Sequence, residues 1–288
     1  MDTLLQLLVN GLVAGSIYAL VAMGFSLIYG TTRFFNLAHG SIAAVGGYGV
    51  FLFSRLLGWP LWSGVILGVL CAGLAGWALD KLIYLPLRRR KASGMILLVA
   101  SLGVFTVIPS LFAIAFGTHF HNLIPSTLIS VLRFGSVVFT QVQLIVLGSS
   151  VLVFAILVLG LRFTRLGRVI RAVSDDEDVA KIIGVNTNRV IATTFFIGSA
   201  IAGVAGMLTG FDTGIQPTMG FGLLLKGVIA AIVGGIGSIP GAILGGFLLG
   251  SVENLGIWQI GAEWKEAIAF ALLILFLVFR PEGIVRRR

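Results

Sequence analysis

The sequence predicts an all-α, polytopic membrane protein with about eight to ten transmembrane helices. Hydrophobic residues make up 58% of the 288 positions and charged residues only 11%, with a mean hydropathy of +1.07. So little polar surface excludes an ordinary soluble globule, and many uncharged runs reach the roughly 20 residues that cross a bilayer. We therefore expect one membrane domain over residues 1–288, with a cytoplasmic loop at about 162–190.

The N-terminal segment is predicted to remain as the first span. Asp2 stands where a cleavable signal carries a basic residue, and the apolar run continues past Ala14 to about Tyr29. The single cysteine, Cys71, has no partner for an internal disulfide, and its sequence neighbours do not resemble a metal site. We interpret Cys71 as a small buried residue and expect no bound metal.

The basic residues predict the orientation in the membrane. Fifteen of the twenty Lys and Arg residues fall within 81–91, 162–189 and 280–288. Basic residues beside apolar spans mark the cytoplasmic side, so all three segments should face the cytoplasm. This distribution accounts for the net charge of +9 without a nucleic-acid partner, because no soluble domain is present to bind one.

Nine apolar segments fit between these basic loops. Three spans precede the cytoplasmic segment 81–91, which places the N-terminus outside. The basic segment 280–288 places the C-terminus in the cytoplasm. The segment 222–235 is short, and it could be broken or re-entrant. The predicted spans are 4–29, 36–53, 61–79, 94–116, 142–161, 191–210, 222–235, 240–257 and 266–279.

The second predicted span carries a stripe of polar and small residues. Asn36, His39, Gly40, Ala43 and Gly47 share one face of a helix. An unpaired polar group in hydrocarbon costs several kcal/mol, so this face should turn into the bundle. In one interpretation Asn36 caps the helix, His39 bonds a neighbouring carbonyl and the glycines allow close packing. In the other, Asn36 and His39 line or gate a polar translocation pathway, with Gly40 and Gly47 on the same face.

Two isolated charges occur in long uncharged stretches near the C-terminus. Lys226 and Glu253 are each the only charge in their stretch. An isolated charge at mid-membrane costs about 2.5–3.5 kcal/mol, so such charges usually pair or face water. We expect an intramembrane pair or a place beside a pore, although both residues could also lie at the membrane interfaces.

The loop "RAVSDDEDVAKIIGVN" predicts a short helix over 175–183. Ser174 and Glu177 have the spacing of a capping box, and Gly184 stands where the helix would stop. The apolar residues of this helix are Val179, Ile182 and Ile183. They would suit either a helix on the membrane surface or a helix docked into a partner.

The chain carries no catalytic signature. No phosphate-binding loop of the G-x-x-x-x-G-K-[ST] type occurs, and no serine, cysteine or carboxylate constellation supports covalent or acid–base chemistry. An intramembrane enzyme would have only Asn36 and His39 to build on. A stand-alone channel or a secondary carrier is a further alternative.

Several motifs together resemble one family of membrane proteins. They are "GSIYALVAMGFSLIYG", "NLAHG", "RAVSDDEDVAKIIGVN", "PTMGFGLLLKGVIAAIVGGIGSIPGAILGGFLLGSVEN" and "FRPEGI", which occur in order over nearly the whole chain. In this combination the sequence resembles the permease subunit of bacterial branched-chain amino-acid ABC importers. That resemblance implies a multi-pass protein of the bacterial inner membrane, with an architecture similar to that of vitamin-type importers.

The resemblance also implies partners and site residues. A second permease, two cytoplasmic ATP-binding subunits and a periplasmic substrate-binding protein would complete the complex. ATP and Mg²⁺ would be held by the partners, so this chain would need no cofactor. The loop helix of ABC permeases contacts the ATPases, a role that would fall here on Arg171, Glu177, Ala180 and Gly184, with Ser174 at its start. Branched-chain or other neutral amino acids are the expected substrates, and urea or short amides are the alternative.

Overall fold

The computed structural model describes residues 2–123, 131–134 and 137–285, and most of these residues are helical. Several helices begin with a capping side chain. At the start of the helix Gly94–Phe116, for example, the Ser93 hydroxyl accepts a backbone hydrogen bond. The twelve α-helices of this part of the chain are α1 (Asp2–Thr32), α2 (Ala38–Val50), α3 (Leu61–Leu79), α4 (Leu85–Arg89), α5 (Gly94–Phe116), α6 (Gln141–Phe163), α7 (Arg165–Asp175), α8 (Glu177–Ile182), α9 (Thr187–Thr213), α10 (Met219–Gly234), α11 (Ile239–Ile260) and α12 (Lys265–Phe279).

Two π-helical segments, a 3-10 helix (Ala262–Trp264) and a β-hairpin complete the described elements. Phe51–Leu56 extends α2, and Asp80–Tyr84 joins α3 to α4. Strands β1 (Val131–Phe134) and β2 (Val137–Thr140) pair antiparallel, with Val131 opposite Thr140. The predicted spans 94–116 and 142–161 left only a connecting loop here. The hairpin packs on α1, because the Gln6 side-chain amide exchanges hydrogen bonds with both backbone groups of Val138.

Six described helices are long and apolar enough to cross a membrane: Thr3–Thr32, Leu61–Arg89, Gly94–Phe116, Gln141–Phe163, Thr187–Thr213 and Ile239–Trp258. The other three predicted spans correspond to shorter helices, namely α2 with its π-helical extension, α10 and α12. Helix α10 is continuous over 16 residues, so the predicted segment is short but not broken. The predicted class, an all-α multi-pass membrane protein, is confirmed.

Helix α2 lies at the centre of the bundle, against α1, α3, α5, α9 and α10. Every residue of α2 except Val45 is buried. Glycines allow this approach: a Cβ on Gly46 would overlap the backbone of Gly203 in α9, and a Cβ on Gly49 would lie 2.7 Å from Gly68 Cα in α3. Apolar surface gains little by leaving lipid, so close backbone packing of this kind is what holds helices together there.

The helices at the periphery of the bundle are largely exposed, in contrast to the buried α2. Large apolar side chains on α5, α6 and α12 are exposed, as expected of surfaces that face lipid. Cys71 in α3 is half-buried rather than fully buried as the sequence predicted, because α3 packs on α2 and α9 through one face only. The last three basic residues, 286–288, lie outside the described residues.

Candidate translocation core and coupling segment

The two polar residues of the opening stripe have partners from distant parts of the chain. The Asn36 side-chain oxygen accepts a hydrogen bond of 2.9 Å from the Tyr84 hydroxyl. Leu37, not Asn36, occupies the N-cap position of α2 and makes no side-chain cap, so the capping interpretation of Asn36 is wrong. His39 Nε2 lies 3.2 Å from the Val21 carbonyl oxygen, and since a carbonyl only accepts, Nε2 is the donor.

Both polar side chains also retain unused hydrogen-bonding capacity. Asn36 Nδ2 and His39 Nδ1 are buried and have no hydrogen-bond partner in the described structure. With Nε2 donating to the backbone, His39 Nδ1 is an acceptor without a donor, and Asn36 Nδ2 is a donor without an acceptor. A buried polar atom of this kind usually costs about 1–3 kcal/mol, which makes the pair candidates for contact with a polar solute.

The small residues of the stripe lie in helix contacts. A Cβ on Gly40 would overlap Gly220 of α10, and a Cβ on Gly47 would lie 3.1 Å from Ile215 Cγ2. Both glycines and both polar residues of the stripe are buried. In this conformation the stripe faces protein rather than open space, and a role in lining a pathway remains a prediction.

Lys226 and Glu253 are brought together by α10 and α11. Lys226 Nζ forms an ion pair with Glu253 Oε1, and the Tyr18 hydroxyl donates to Glu253 Oε2 over 3.0 Å. Glu253 is fully buried, whereas the Lys226 side chain keeps 12% of its surface exposed. Tyr18 lies on α1, so this cluster connects three helices. The aromatic partner was not found from sequence, because one tyrosine among apolar residues gives no signal of pairing.

A second buried ion pair was missed by the sequence analysis. Asp80 Oδ1 accepts a hydrogen bond of 2.6 Å from Arg88, and Asp80 is fully buried. The signal that could have found it is an acidic residue at the end of an apolar span, eight positions before a basic one. The π-helical segment that begins at Asp80 also carries Tyr84, the partner of Asn36.

The loop at about 162–190, here called the coupling loop or coupling segment after the role that the resemblance implies, forms two helices, and its predicted cap is wrong. Helix α7 continues through Ser174, and α8 begins only at Glu177. The N-cap is Asp176, whose Oδ1 accepts from two backbone N–H groups at 2.8 and 3.0 Å. Glu177 instead accepts from the Thr187 hydroxyl and pairs with Lys181 at 3.0 Å. Hydrogen bonding to Glu177 raises the pKa of the Lys181 ammonium above its ordinary value.

The two faces of α8 differ sharply. Ala180 is 1% exposed and packs inside this chain, so it is not available as a contact for a partner, contrary to the sequence-based expectation. Val179, Ile182 and Ile183 are 54%, 83% and 69% exposed. Gly184 follows with φ +86°, the left-handed conformation that stops the helix where the sequence predicted.

An apolar cluster joins α8 to the bundle. Ala180 and Val173 of the coupling loop share this cluster with Phe34 and Tyr84. The Phe34 and Tyr84 rings are 5.1 Å apart. Tyr84 in turn holds Asn36, so a continuous set of contacts leads from the inner face of α8 to the start of α2.

The remaining coupling residues contact the ends of neighbouring helices. The Arg171 guanidinium donates to the Leu161 carbonyl oxygen at the end of α6. Arg33, in the turn between α1 and α2, donates to the Ser174 carbonyl oxygen over 2.7 Å. Arg171 and Ser174 also line a cavity of about 360 Å³ beside the α10–α11 turn.

These features define a multi-pass helical membrane protein with enclosed polar groups at its centre and an exposed apolar helix in one loop, an arrangement suited to transport rather than to a soluble activity. The sequence matches the family described as "branched-chain amino acid transport system / permease component" over residues 7–277. The chain belongs to this family, and it is a non-catalytic membrane subunit of a transport system.

Individual relatives agree with this assignment. The chain is 38% identical to the high-affinity branched-chain amino acid transport system permease protein BraD of Pseudomonas aeruginosa, over 98% of this chain and 96% of BraD. It is 36% identical to the permease protein LivH of Escherichia coli K12 over the same shares. The structure of PsaBC from Streptococcus pneumoniae in complex with Fab aligns over 95% of this chain and 91% of the PsaBC chain, with a TM-score of 0.52 and 15% identity. This similarity shows a shared fold.

Proposed function

We propose that this chain forms the translocation pathway of an ATP-driven importer for branched-chain or other neutral amino acids. The observation that carries this proposal is the similarity to BraD over 98% of the chain. The small and weakly polar residues of the interior also suit a compact zwitterion better than a sugar or a phosphate. A second permease, two cytoplasmic ATP-binding subunits that hydrolyse ATP with Mg²⁺, and a periplasmic binding protein complete the transporter.

The route that we propose uses the stripe on α2 and a groove beside it. A groove of about 640 Å³ lies among α5, α10 and α12, with Thr106, Gln216 and Thr218 among its lining residues. The first turn of α10 separates this groove from the stripe, because Gly220 contacts Gly40 while its neighbours line the groove. Movement of α10 away from α2 would connect the groove with the stripe. Substrate should therefore protect a cysteine at Gln216 from alkylation only when transport is active.

The ATPase contact that we propose is the exposed face of α8. Val179, Ile182 and Ile183 are apolar and exposed, and burying one such side chain is worth about 1.5–3 kcal/mol. The opposite face is fixed to the bundle through Ala180. A partner that moves α8 would therefore act on the start of α2 through the apolar cluster.

Substitution of Ile182 tests this contact. Ile182→Asp should leave the permease inserted but weaken ATPase-subunit retention by about tenfold or more, since an apolar contact is replaced by a desolvated charge. Ile182→Leu is the matched control and should retain the subunits. Equal retention in both variants would return α8 to the membrane-surface alternative.

Labelling tests the proposed orientation, with the N-terminus outside and the C-terminus in the cytoplasm. In a Cys71→Ala background, a cysteine at Ser93 or Asn186 should be labelled only from the cytoplasm. A cysteine at Asn122 should be labelled only from outside. All three positions are exposed, so accessibility does not limit the result. Cytoplasmic labelling of the cysteine at Asn122 contradicts the span assignment.

Uptake by the complete complex tests the function itself. The tagged chain should co-purify with ATP-binding subunits, which separates an importer from a channel or secondary carrier. Reconstituted with its binding protein, the complex should take up leucine, isoleucine or valine in an ATP-dependent manner. Uptake of urea or a short amide, with no response to amino acids, would overturn the substrate assignment while keeping the importer.

A further inference from the structure

A basic cavity lies between the coupling segment and the turn that joins α1 to α2. Its volume is about 470 Å³. Arg33, Arg88, Arg89 and Lys181 line it, and Glu177 is the only acidic residue among its described lining residues. Part of the wall is apolar and is supplied by the turn and by the start of α5.

The positive charge of this cavity is only partly balanced. Arg88 pairs with Asp80, and Lys181 pairs with Glu177. Among the described residues, no carboxylate lies within ion-pair distance of Arg33 or Arg89. The hydrogen bond of Arg33 goes to a neutral backbone carbonyl, so no described protein group neutralises the charge of this exposed side chain.

A buried donor at the same cavity is also unused. Arg88 Nε is buried and has no hydrogen-bond partner in the described part of the chain, although a guanidinium seldom leaves a buried N–H unsatisfied. Arg33 holds a left-handed backbone with φ +56°, an uncommon conformation for this residue type that accompanies the placement of its guanidinium against the loop. Four basic side chains, one of them with an unused donor, therefore line one partly open cavity.

We propose that this cavity binds a phosphate-class anion, either inorganic phosphate or the phosphate of an anionic lipid head group. Guanidinium groups from Arg33, Arg88 and Arg89 offer planar N–H pairs, which match phosphate oxygens closely. A tetrahedral anion also has enough oxygens to meet donors from several directions, whereas a lone carboxylate has two. Met95 and Ile96, exposed at the start of lipid-facing α5, lie directly after the lining residue Gly94, so acyl chains can lie close to the cavity.

The bound anion would join two elements that otherwise meet through few polar contacts. Lys181 belongs to α8, and Arg33 belongs to the turn that precedes α2. Occupancy would therefore add a polar link between the coupling segment and the bundle, beside the apolar packing of Ala180. This site is independent of the transported solute, and its tests do not depend on transport.

The lipid source is tested by native mass spectrometry of the purified permease complex. With phosphatidylglycerol, the wild-type complex should retain one lipid more per permease than Arg33→Gln/Arg89→Gln. With phosphatidylcholine, the two should not differ. Arg90→Gln is the matched control, because it removes one charge at an exposed neighbour that does not line the cavity, and it should behave as wild type.

The phosphate source is tested by thermal unfolding of the same samples in phosphate and in chloride at equal ionic strength. A rise in melting temperature in phosphate that Arg89→Gln abolishes and Arg90→Gln keeps shows that free phosphate binds. Lipid retention lost in the double variant without such a rise assigns the site to lipid, with affinity reduced by about tenfold or more.

Equal lipid retention and equal phosphate response in the double variant and in Arg90→Gln overturn the proposal. If Arg33→Gln fails to assemble, the exposed Arg89→Gln alone carries both measurements. Chemical modification of Arg89 in the complex gives a further test. If the ATPase subunits protect Arg89 and no anion does, the cavity is a protein contact and the proposal is overturned.

Discussion

Removing Lys226 or Glu253 should destabilise the assembled protein far more than removing an exposed charge. Breaking a buried ion pair from one side costs about 3–5 kcal/mol, because the other charge is left without compensation. The structure predicts which of the two single variants is more destabilising. Lys226→Ala leaves a fully buried Glu253 with only the Tyr18 hydroxyl, whereas Glu253→Ala leaves a lysine that keeps 12% of its side-chain surface exposed. Lys226→Ala should therefore be the more damaging change.

The double variant Lys226→Ala/Glu253→Ala should recover part of the loss. Neither isolated charge remains, and residues in contact commonly couple by about 0.5–3 kcal/mol. Tyr18→Phe should cost less than either single variant, about 1.5–3 kcal/mol for one hydrogen bond to a charged group. Glu263→Ala, at an exposed acidic residue, is the control and should be close to neutral.

The assay is the thermal denaturation midpoint of the purified complex, measured with the yield of assembled subunits. At about 2–4 °C per kcal/mol for a domain of comparable size, a single variant should lose roughly 10 °C. The double variant should lie between the single variants and wild type. Additive losses, with the double variant below both single variants, would falsify the pairing as a source of stability and leave it a geometric coincidence.

Three further predictions concern the centre of the bundle and the coupling segment. Asn36→Ala and His39→Ala should assemble normally yet slow substrate-stimulated uptake, and a loss of assembly instead would assign both residues to packing. Ala180→Trp should loosen α8 from the bundle and uncouple ATP hydrolysis from uptake, since overpacking costs about 1–3 kcal/mol; unchanged stimulated ATPase activity and uptake would contradict this role. Gly46→Ala should reduce the yield of folded protein more than Gly47→Ala, because a Cβ on Gly46 would overlap the Gly203 backbone whereas one on Gly47 would lie 3.1 Å from its nearest neighbour, Ile215 Cγ2, and equal yields would argue against it.

Much of the fold could be predicted because the membrane simplifies the physics. Apolar runs predict helices directly, since backbone groups in lipid must be satisfied within the segment. Lys226 and Glu253 could be singled out for the same reason, because a lone charge there requires a partner or water. The end of α8 at Gly184 could also be predicted, because glycine readily adopts the left-handed conformation whatever the rest of the chain does.

The features that were missed depend on contacts between distant segments. Ser174 and Asp176 are both competent caps, and the choice depends on how far packing keeps α7 helical, which local spacing does not determine. A six-residue helix is too short for periodicity to identify its buried face, so Ala180 was assigned outward. The partner of Asn36 is 48 residues away, and no local pattern indicates it.

The π-helical segment Asp80–Tyr84 makes chain length in this region as important as residue identity. A π-helical turn holds one residue more than an α-helical turn. Deleting a single residue from this segment would therefore close it into regular α-helix, while the helix beyond would keep nearly its present orientation. Deleting a residue from the regular turns of α3 just before it would instead rotate everything beyond by roughly 100°, because each residue of an α-helix turns it by that amount. Tyr84 would then turn away from Asn36, although every side chain except the deleted one would still be present. A single deletion should thus be better tolerated between Lys81 and Ile83 than in the preceding turn of α3.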